Sequence, residues 1–278
     1  MSQQGFKYSR AMVTGASSGI GEALAARLAA AGVAHLILVA RRKERLEALA
    51  SRLAQQHGTR VDCVGADLST HDGLALAVEA GEGVDLLVNN AGVGGFGRFD
   101  HLSPLSQGTM IDLNCRAPVH LAGHLLPSMI EQKRGCILNI ASGQSFGAMP
   151  FMSTYAATKS FLLHWAEGVR AELNGTGVHV VTVCPGAIAT GFNQAAAIPE
   201  ADLAAISLVT GSMDGVVASC MRAITRNRGI SIPGIRNWTA VTIGRLSPRA
   251  ISAWLLATVL RSGAQRAAIT DRSSSAQH

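Results

Sequence analysis

Short apolar runs alternate along the chain with longer segments in which apolar residues recur every three or four positions. The short runs are rich in Val, Ile and Leu, which is typical of strands buried on both faces of a parallel sheet. The longer segments are typical of amphipathic helices. This alternation predicts an α/β fold, a Rossmann-type, doubly wound, seven-stranded parallel sheet flanked by helices on both faces. The predicted strands are Arg10–Val13, His35–Ala40, Arg60–Ala66, Val84–Val88, Cys136–Ala141, Val178–Cys184 and Gly229–Ile232.

The composition predicts a large apolar core and a cytoplasmic protein. Apolar residues make up 48% of the 278 positions and charged residues only 15%, which argues against disorder. The five cysteines show no C-x-x-C spacing, so we interpret them as reduced residues of a cytoplasmic protein. Residues 1–9 form a polar arm without the apolar stretch of a secretory signal. The histidines have no metal-ligand spacing, and we expect no metal site.

A glycine-rich turn follows the first predicted strand. The sequence Thr14-Gly-x-x-x-Gly19-x-Gly21 opens directly into a helical pattern. Gly15 would allow the tight turn, Gly19 would let the backbone approach a pyrophosphate, and Gly21 would let the helix pack close to the sheet. A helix N-terminus also offers free N–H groups to phosphates. Between a strand and a helix, this pattern predicts a dinucleotide site.

Two arginines follow the second strand, where such folds select their cofactor. A carboxylate at this position would hold the ribose 2′-hydroxyl of NAD, but the chain has Arg41 and Arg42 instead. Guanidinium groups suit a 2′-phosphate, so we predict NADP, with NADPH preferred over NADH. The alternative is that both arginines only begin a solvated helix.

Ser142, Tyr155 and Lys159 form the pattern S-x12-Y-x3-K. Ser142 ends a predicted strand, while Tyr155 and Lys159 are four apart and share one helix face. A neighbouring ammonium would lower the pKa of the phenol, so that Tyr155 could exchange protons near neutral pH. The alternative is that Tyr155 and Lys159 are an ordinary amphipathic pair at a helix edge.

An asparagine pair, Asn89-Asn90, follows the fourth predicted strand. It predicts either side chains that lock a turn through hydrogen bonds or a contact to a ligand.

With these motifs in order, the chain resembles the short-chain dehydrogenase/reductase family, in its single-domain branch, over Arg10–Gly234. The resemblance rests on the TGxxxGxG turn, the Asn89-Asn90-Ala91-Gly92 motif and the YxxxK pair. It implies a catalytic tetrad of Asn114, Ser142, Tyr155 and Lys159. It also implies that homo-oligomers form and that an NADP-binding domain with the catalytic site spans residues 10–234. The residues expected to bind the cofactor are Gly15, Ser17, Ser18, Gly19, Ile20, Arg41, Arg42, Asp67, Leu68, Asn90, Ala91, Gly92, Tyr155, Lys159, Pro185, Gly186, Ile188 and Thr190.

The expected activity is NADP(H)-dependent interconversion of a carbonyl and an alcohol, with Tyr155 as the general acid or base. No Arg or Lys lies between Gly143 and Tyr155 or between Gly186 and Ile198, so we expect an apolar substrate. Steroid-like, lipid-like and 3-oxoacyl carbonyls fit that description. A catalytically silent NADP-sensing protein on the same fold is the alternative. The predicted substrate pocket consists of Phe146, Met149, Phe151 and Phe192.

Residues 235–278 form a basic, amphipathic extension of the predicted domain. Residues 221–278 hold nine arginines and one acidic residue, and apolar residues 251–259 recur at helical spacing. The extension could cover the substrate cleft, pair with a second subunit, lie on an anionic membrane surface or stay solvated. Its end, residues 273–278, is expected to be disordered and lies outside the residues that the structure describes. It has no interleaved aromatic and basic residues, so we expect no nucleic-acid binding. We expect a homodimer or homotetramer.

Overall fold

The computed structural model describes residues 6–188, 192, 196, 198, 211–248, 250–258 and 260. Each of the seven predicted strands is present, and six of them agree with their predicted bounds to within one residue at either end. The strands are β1 Arg10–Thr14, β2 His35–Ala40, β3 Arg60–Gly65, β4 Leu86–Asn89, β5 Gly135–Ile140, β6 Val178–Val183 and β7 Ile230–Ser231.

All seven strands belong to one parallel sheet with the order β3-β2-β1-β4-β5-β6-β7. The predicted doubly wound parallel sheet is therefore confirmed. The chain order reverses between β1 and β4, which lie side by side. In such sheets a crevice opens beyond the carboxyl ends of the strands at this reversal, and ligands bind there.

The described part of the chain has eight helices, six of which cover the two faces of the sheet. Beyond them, residues 250–258 are also helical. The eight are α1 Gly19–Ala30, α2 Lys43–His57, α3 His71–Ala80, α4 Pro104–Ile111, α5 Ala117–Glu131, α6 Ser153–Glu172, α7 Met213–Arg226 and α8 Ile235–Leu246.

The core consists of two apolar layers, one on each side of the sheet. Side chains of α1, α2 and α7 pack against Val13, Leu38 and Leu138 on one side. Side chains of α3, α5 and α6 pack against Met12 and Ile137 on the other side. Successive strand residues thus alternate between the layers, because side chains of a strand point to opposite faces in turn.

One predicted helix break is wrong. The sequence pattern divides this stretch into helical segments 105–115 and 119–132, with Pro118 and Pro127 predicted to mark breaks or kinks, but residues 104–131 form one continuous helical run. Pro118 directly follows a π turn in which the Ala117 N–H bonds to the Asp112 carbonyl five residues earlier, so the missing N–H of the proline falls where the regular bonding is already displaced. Pro127 is accommodated inside α5. Between α4 and α5 the helix widens to a π turn at Asp112–Arg116, and Asn114 is buried there.

The extension contains a helix that the sequence reading did not predict. Besides the expected helical residues near 251–258, α8 runs from Ile235 to Leu246 and buries Asn237 and Val241. Asn237 donates hydrogen bonds to the carbonyl oxygens of Cys184, at 3.0 Å, and Pro233, at 3.2 Å. These bonds fix α8 against the carboxyl end of β6. Within the described ranges, no helix combines the length and apolar character needed to cross a membrane.

Candidate active site

Ser142, Tyr155 and Lys159 meet at the carboxyl edge of the sheet. Ser142 follows β5 and caps the short 3-10 turn Gly143–Phe146, while Tyr155 lies in the first turn of α6 and Lys159 one turn later. All three side chains are buried. The Lys159 ammonium lies 5.9 Å from the centre of the Tyr155 ring and donates to the Ile140 carbonyl at 2.9 Å. A hydroxyl, a phenol and an ammonium therefore share one desolvated site.

The 3-10 turn orients the Ser142 hydroxyl. Its oxygen accepts a hydrogen bond from the Gln144 backbone N–H at 3.2 Å, while the Ser145 hydroxyl accepts from the Ser142 N–H at 3.3 Å. These bonds form a reciprocal capping box. The Ser142 hydroxyl also acts on Tyr155, because its hydrogen bond favours the phenolate and lowers the pKa of the phenol.

Burial moves the two titrating groups in opposite directions. It raises the pKa of Tyr155 to about 12, and the hydrogen bond from Ser142 opposes only part of that rise. Burial also lowers the pKa of Lys159 to about 8. The sequence led us to expect a lowered phenol pKa, but here desolvation dominates. Tyr155 is consequently protonated at neutral pH, as a proton donor must be.

Asn114 connects the loop after β4 with α6. Its side-chain oxygen accepts from the Val93 N–H at 3.0 Å, and its amide donates to the Val93 carbonyl at 2.9 Å and the Thr158 hydroxyl at 3.0 Å. Gly92 lies against this group, and an added Cβ there would be 3.1 Å from the Asn114 oxygen and 3.3 Å from the Lys159 nitrogen. Asn114 thus positions the segment next to Lys159.

The glycine turn is fixed by the strand beside it. Gly15 adopts a left-handed φ of 66°, which favours glycine, and its N–H donates to the Val39 carbonyl at 2.8 Å. The Asn90 side chain donates to the Thr14 carbonyl at 2.8 Å. Of the two interpretations given to the Asn pair, Asn90 acts as the turn lock. Ser18 caps α1 without a side-chain hydrogen bond, so the first N–H groups of that helix can receive phosphate oxygens.

The arginines after β2 lie beside the glycine turn. Arg42 donates to the hydroxyls of Ser17 at 3.1 Å and Ser18 at 3.2 Å. Arg41 lies 4.0 Å from a carboxylate oxygen of Asp67, whose pKa is below its ordinary value because Ser69 and Arg41 favour the charged form. A guanidinium and two hydroxyls in one group fit the oxygens of a ribose 2′-phosphate.

One large cavity, of about 1660 Å³, joins the glycine turn to Ser142, Tyr155 and Lys159. Every predicted cofactor residue lines it except Thr190, which lies outside the described residues. Of the predicted substrate pocket, Phe146, Met149 and Phe192 line the cavity. Phe151 instead packs against Phe96 with a centroid distance of 6.2 Å, behind the wall. The Phe192 ring lies 5.3 Å from that of Tyr155.

Comparison with known families now decides the assignment. The family described as short chain dehydrogenase matches residues 9–200, which contain the glycine turn, Ser142, Tyr155 and Lys159. The chain belongs to the short-chain dehydrogenase family. The family predicted from the motifs is therefore confirmed, and with it an oxidoreductase.

Three curated relatives illustrate the range of activities around this short-chain dehydrogenase. It is 39% identical over 184 residues to an uncharacterized oxidoreductase of Myxococcus xanthus, covering 64% of this chain and 72% of the relative. It is 37% identical over 183 residues to the serine 3-dehydrogenase of Agrobacterium fabrum, covering 65% and 72%. It is 33% identical over 191 residues to the very-long-chain 3-oxoacyl-CoA reductase of Anas platyrhynchos, covering 66% and 61%.

Solved structures of the family share the fold. A short-chain dehydrogenase from Sphingobium yanoikuyae in complex with NADPH is 32% identical with a TM-score of 0.75, over 85% of this chain and 93% of that one. The bulky-bulky ketone specific alcohol dehydrogenase from Comamonas testosteroni is 30% identical with a TM-score of 0.73, over 86% and 93%. A family member from Burkholderia phymatum in complex with NAD is 27% identical with a TM-score of 0.75, over 86% and 93%.

Two groups of residues that line the cavity of this short-chain dehydrogenase were not predicted from the sequence. Gln144 lines it, and the side-chain oxygen of Gln144 is buried without a hydrogen-bond partner in the described part of the chain. Residues of the extension line the outer part of the cavity. Gln144 could have been suggested from the sequence, because it lies only two residues after Ser142. No local sequence pattern connects the extension to the cavity. Those extension residues are Asn237, Ala240, Val241, Gly244, Arg245, Ser252, Leu256 and Leu260.

Proposed function

We propose that this short-chain dehydrogenase is an NADP(H)-dependent enzyme that interconverts a carbonyl and an alcohol on an apolar substrate, working as a reductase. The observation that carries the proposal is the buried group of Ser142, Tyr155 and Lys159 in the cavity that begins at the glycine turn. A phenol held protonated next to a serine donor is suited to protonating a carbonyl oxygen.

In this mechanism the nicotinamide cofactor supplies the hydride. Ser142 donates a hydrogen bond to the substrate carbonyl oxygen and fixes its position. Tyr155 transfers its proton to that oxygen as negative charge develops there. Lys159 stabilises the resulting phenolate and would bind the nicotinamide ribose. Asn114 holds the loop after β4 against α6, beside Lys159.

Preference for NADPH is supported by Arg42 and its two serine hydroxyls, and by the NADPH bound in the Sphingobium relative. The NAD bound in the Burkholderia relative shows that the family accepts both cofactors.

We expect Arg42→Gln to lower kcat/KM for NADPH by roughly ten- to hundredfold and to leave kcat/KM for NADH unchanged, because one charge-assisted contact is lost. Lys43→Gln, an exposed neighbour outside the cavity, is the matched control. Equal use of NADH by the unmodified enzyme would refute the preference.

An apolar substrate is supported by the side chains around Tyr155. Phe96, Met110 and Met152 form a buried apolar cluster with it, and Met149 and Phe192 pack against that cluster. Relatives named for bulky ketones and for 3-oxoacyl thioesters agree with an apolar substrate, whereas the name serine 3-dehydrogenase indicates a polar substrate for that relative.

The deciding experiment follows NADPH oxidation spectrophotometrically with steroid ketones, aldehydes, quinones and 3-oxoacyl thioesters as substrates. Turnover of small polar keto acids alone would contradict the proposal.

The silent NADP-sensing protein remains the second candidate. A sensor would need the glycine turn and Arg42 but not Ser142, Tyr155 and Lys159 together. The same screen distinguishes the two functions: a sensor would bind NADPH tightly and oxidise none of the carbonyl compounds.

A cytoplasmic homodimer or homotetramer belongs to the same proposal. All five cysteines are free, as a reducing compartment requires. Partly exposed apolar side chains on the outer faces of α5 and α6, Ile130 and Phe161, fit a subunit interface there. Light scattering coupled to gel filtration tests this, since Phe161→Glu should then yield monomers.

Peripheral membrane contact through the extension is the last part of the proposed function. Trp238 is 50% exposed and Trp254 is 66% exposed, and Ile243, Leu246 and Ile251 are exposed beside them. Residues 215–270 contain eight arginines and no acidic residue. Exposed Trp and aliphatic side chains among arginines suit an anionic lipid surface. A second copy of this chain is less suitable, because symmetric pairing would bring the arginines of both copies together.

Vesicle sedimentation tests this contact. We expect the protein to pellet with vesicles of phosphatidylglycerol and phosphatidylcholine but not with phosphatidylcholine alone. Replacing both Trp238 and Trp254 by Ser should abolish pelleting, whereas Phe99→Ser, at an exposed aromatic residue outside the extension, should not. If the double variant instead converts an oligomer to a monomer, the face binds a second copy and the membrane proposal fails.

A further inference from the structure

Arg245 brings a positive charge into the wall of the catalytic cavity. It lies near the end of α8, and its guanidinium carbon is 5.5 Å from the centre of the Phe146 ring. Phe146 ends the same 3-10 turn that Ser142 caps, and both Phe146 and Arg245 line the cavity. Stacking on an aromatic face holds a guanidinium in place while its N–H groups remain free to donate.

This charge is not neutralised by the protein in the described part of the chain. There no carboxylate lies within ion-pairing distance of Arg245, whereas Arg98, Arg116 and Arg134 each have an acidic partner. The side chain is exposed, so it is available to a ligand in the cavity. The other charged residues that line the cavity are Arg41, Arg42, Arg45, Asp67, Lys159, His164 and Glu167.

Ser142 and Arg245 are connected through the 3-10 turn that ends at Phe146. The turn has four residues and rises about 2 Å per residue, so the backbones of Ser142 and Phe146 are roughly 8 Å apart. A medium-length acyl chain is therefore the first ligand to test for a contact with both ends of the turn. The wall between them is apolar at Phe146 and Met149, which suits methylene groups.

We propose that Arg245 binds the carboxylate at the far end of an amphipathic substrate whose carbonyl is reduced at Ser142 and Tyr155. The inference rests on the proposed reductase function and narrows its substrate class from apolar carbonyl compounds to medium-chain oxo acids. Guanidinium and carboxylate match each other in geometry, so the acid is preferred over a neutral analogue of the same shape.

Binding is tested first without turnover, on the NADPH-loaded protein. Isothermal titration calorimetry compares octanoate with octanamide, which has nearly the same shape and no charge. Because Arg245 is exposed, we expect about fivefold tighter binding of octanoate. Arg245→Gln should weaken octanoate about fivefold and leave octanamide unchanged. The matched control is Arg236→Gln, which removes the same charge from the same helix outside the cavity and should change neither.

Turnover provides the second readout. The enzyme should reduce 8-oxooctanoate with a higher kcat/KM than its methyl ester, and Arg245→Gln should raise KM for the acid with little change in kcat. Equal binding of octanoate and octanamide by the unmodified protein would refute the anion site. So would an equal loss in the two arginine variants, or an equal loss of both ligands in Arg245→Gln. Preference for octanoate without any reduction of either aldehyde would refute the reductase and support the anion site.

Discussion

Burial controls the chemistry of Tyr155 and Lys159 more than their mutual distance does. The same loss of water raises the pKa of the phenol to about 12 and lowers that of the ammonium to about 8. Both shifts favour the neutral forms of the side chains. At neutral pH the Tyr155 phenol therefore carries the proton that a general acid must donate, whereas burial destabilises the charged form of Lys159.

Removing the Tyr155 hydroxyl should stop reduction but not cofactor binding. We expect Tyr155→Phe to lower kcat between a hundredfold and ten-thousandfold, the usual contribution of a positioned acid. NADPH binding, followed by fluorescence, should persist. The control is Tyr8→Phe at the only other tyrosine, which packs beside Phe6 just before β1. Loss of less than tenfold in Tyr155→Phe would show that another group supplies the proton.

Lys159 should make folding stability depend on pH. Its pKa falls from 10.5 in its ordinary state to about 8 in the folded protein, so charging it opposes folding. The penalty is complete below about pH 8 and disappears as the pH rises to about 10.5. The stability advantage of Lys159→Met over the unmodified protein should therefore shrink by about 2 kcal/mol between pH 7 and pH 9.5. Urea unfolding at both pH values measures it, and a constant difference would contradict the lowered pKa.

At the level of elements, the glycine turn and α1 depend on close backbone contact. A Cβ on Gly21 would collide with the Gly15 carbonyl oxygen and lie 2.5 Å from the Asn90 amide. Gly123, inside α5, has open space around its Cα. Two helical glycines therefore have opposite structural roles.

Gly21→Ala should displace the glycine turn and weaken NADPH binding at least tenfold, because the turn must approach the pyrophosphate closely. Gly123→Ala should leave binding unchanged and stabilise the fold by up to about 1 kcal/mol, the helix preference of Ala over Gly. Fluorescence titration and thermal unfolding of both variants provide the measurements. Unchanged binding in Gly21→Ala would mean that the turn tolerates the displacement.

The local pattern of apolar residues predicted most elements, because strands buried on both faces of a parallel sheet consist of nearly continuous apolar runs. The run His35–Ala40 was predicted with its observed bounds, since every residue in it is apolar except the first. The predicted helix break near Pro118 was wrong because the π turn before it displaces the regular hydrogen bonds, so the helix continues without the proline N–H. Helix α8 was missed because its stability depends on Asn237 and Val241 docking against distant residues.

At the scale of the whole molecule, the cavity combines parts of the chain that are far apart in sequence. That the glycine turn and the group of Ser142, Tyr155 and Lys159 lie together could be predicted from motif spacing. The outer wall of the cavity could not, because Arg245 and Asn237 reach it only through the tertiary packing of α8. The sequence therefore indicated an uncharged pocket, and the folded chain adds a cation.

Because the cavity lies where both halves of the sheet meet, the cofactor should stabilise the whole fold. NADPH at about a hundred times its Kd should contribute roughly 2.7 kcal/mol. For a chain of this size that corresponds to an increase in Tm of about 5–10 °C. Scanning fluorimetry measures the shift, and Gly21→Ala should reduce it. No shift at saturating NADPH would contradict the cofactor assignment.

The docking of α8 by Asn237 has a consequence for how new specificities could arise. The extension residues that line the cavity all follow Gly234 in one stretch of the chain, from Asn237 to Leu260, and none of them belongs to the group of Ser142, Tyr155 and Lys159. A single recombination event after Gly234 would therefore exchange this part of the cavity wall and leave that group untouched. A graft that retains an asparagine at position 237 would keep the anchor to Cys184, so the segment is a natural unit for directed evolution.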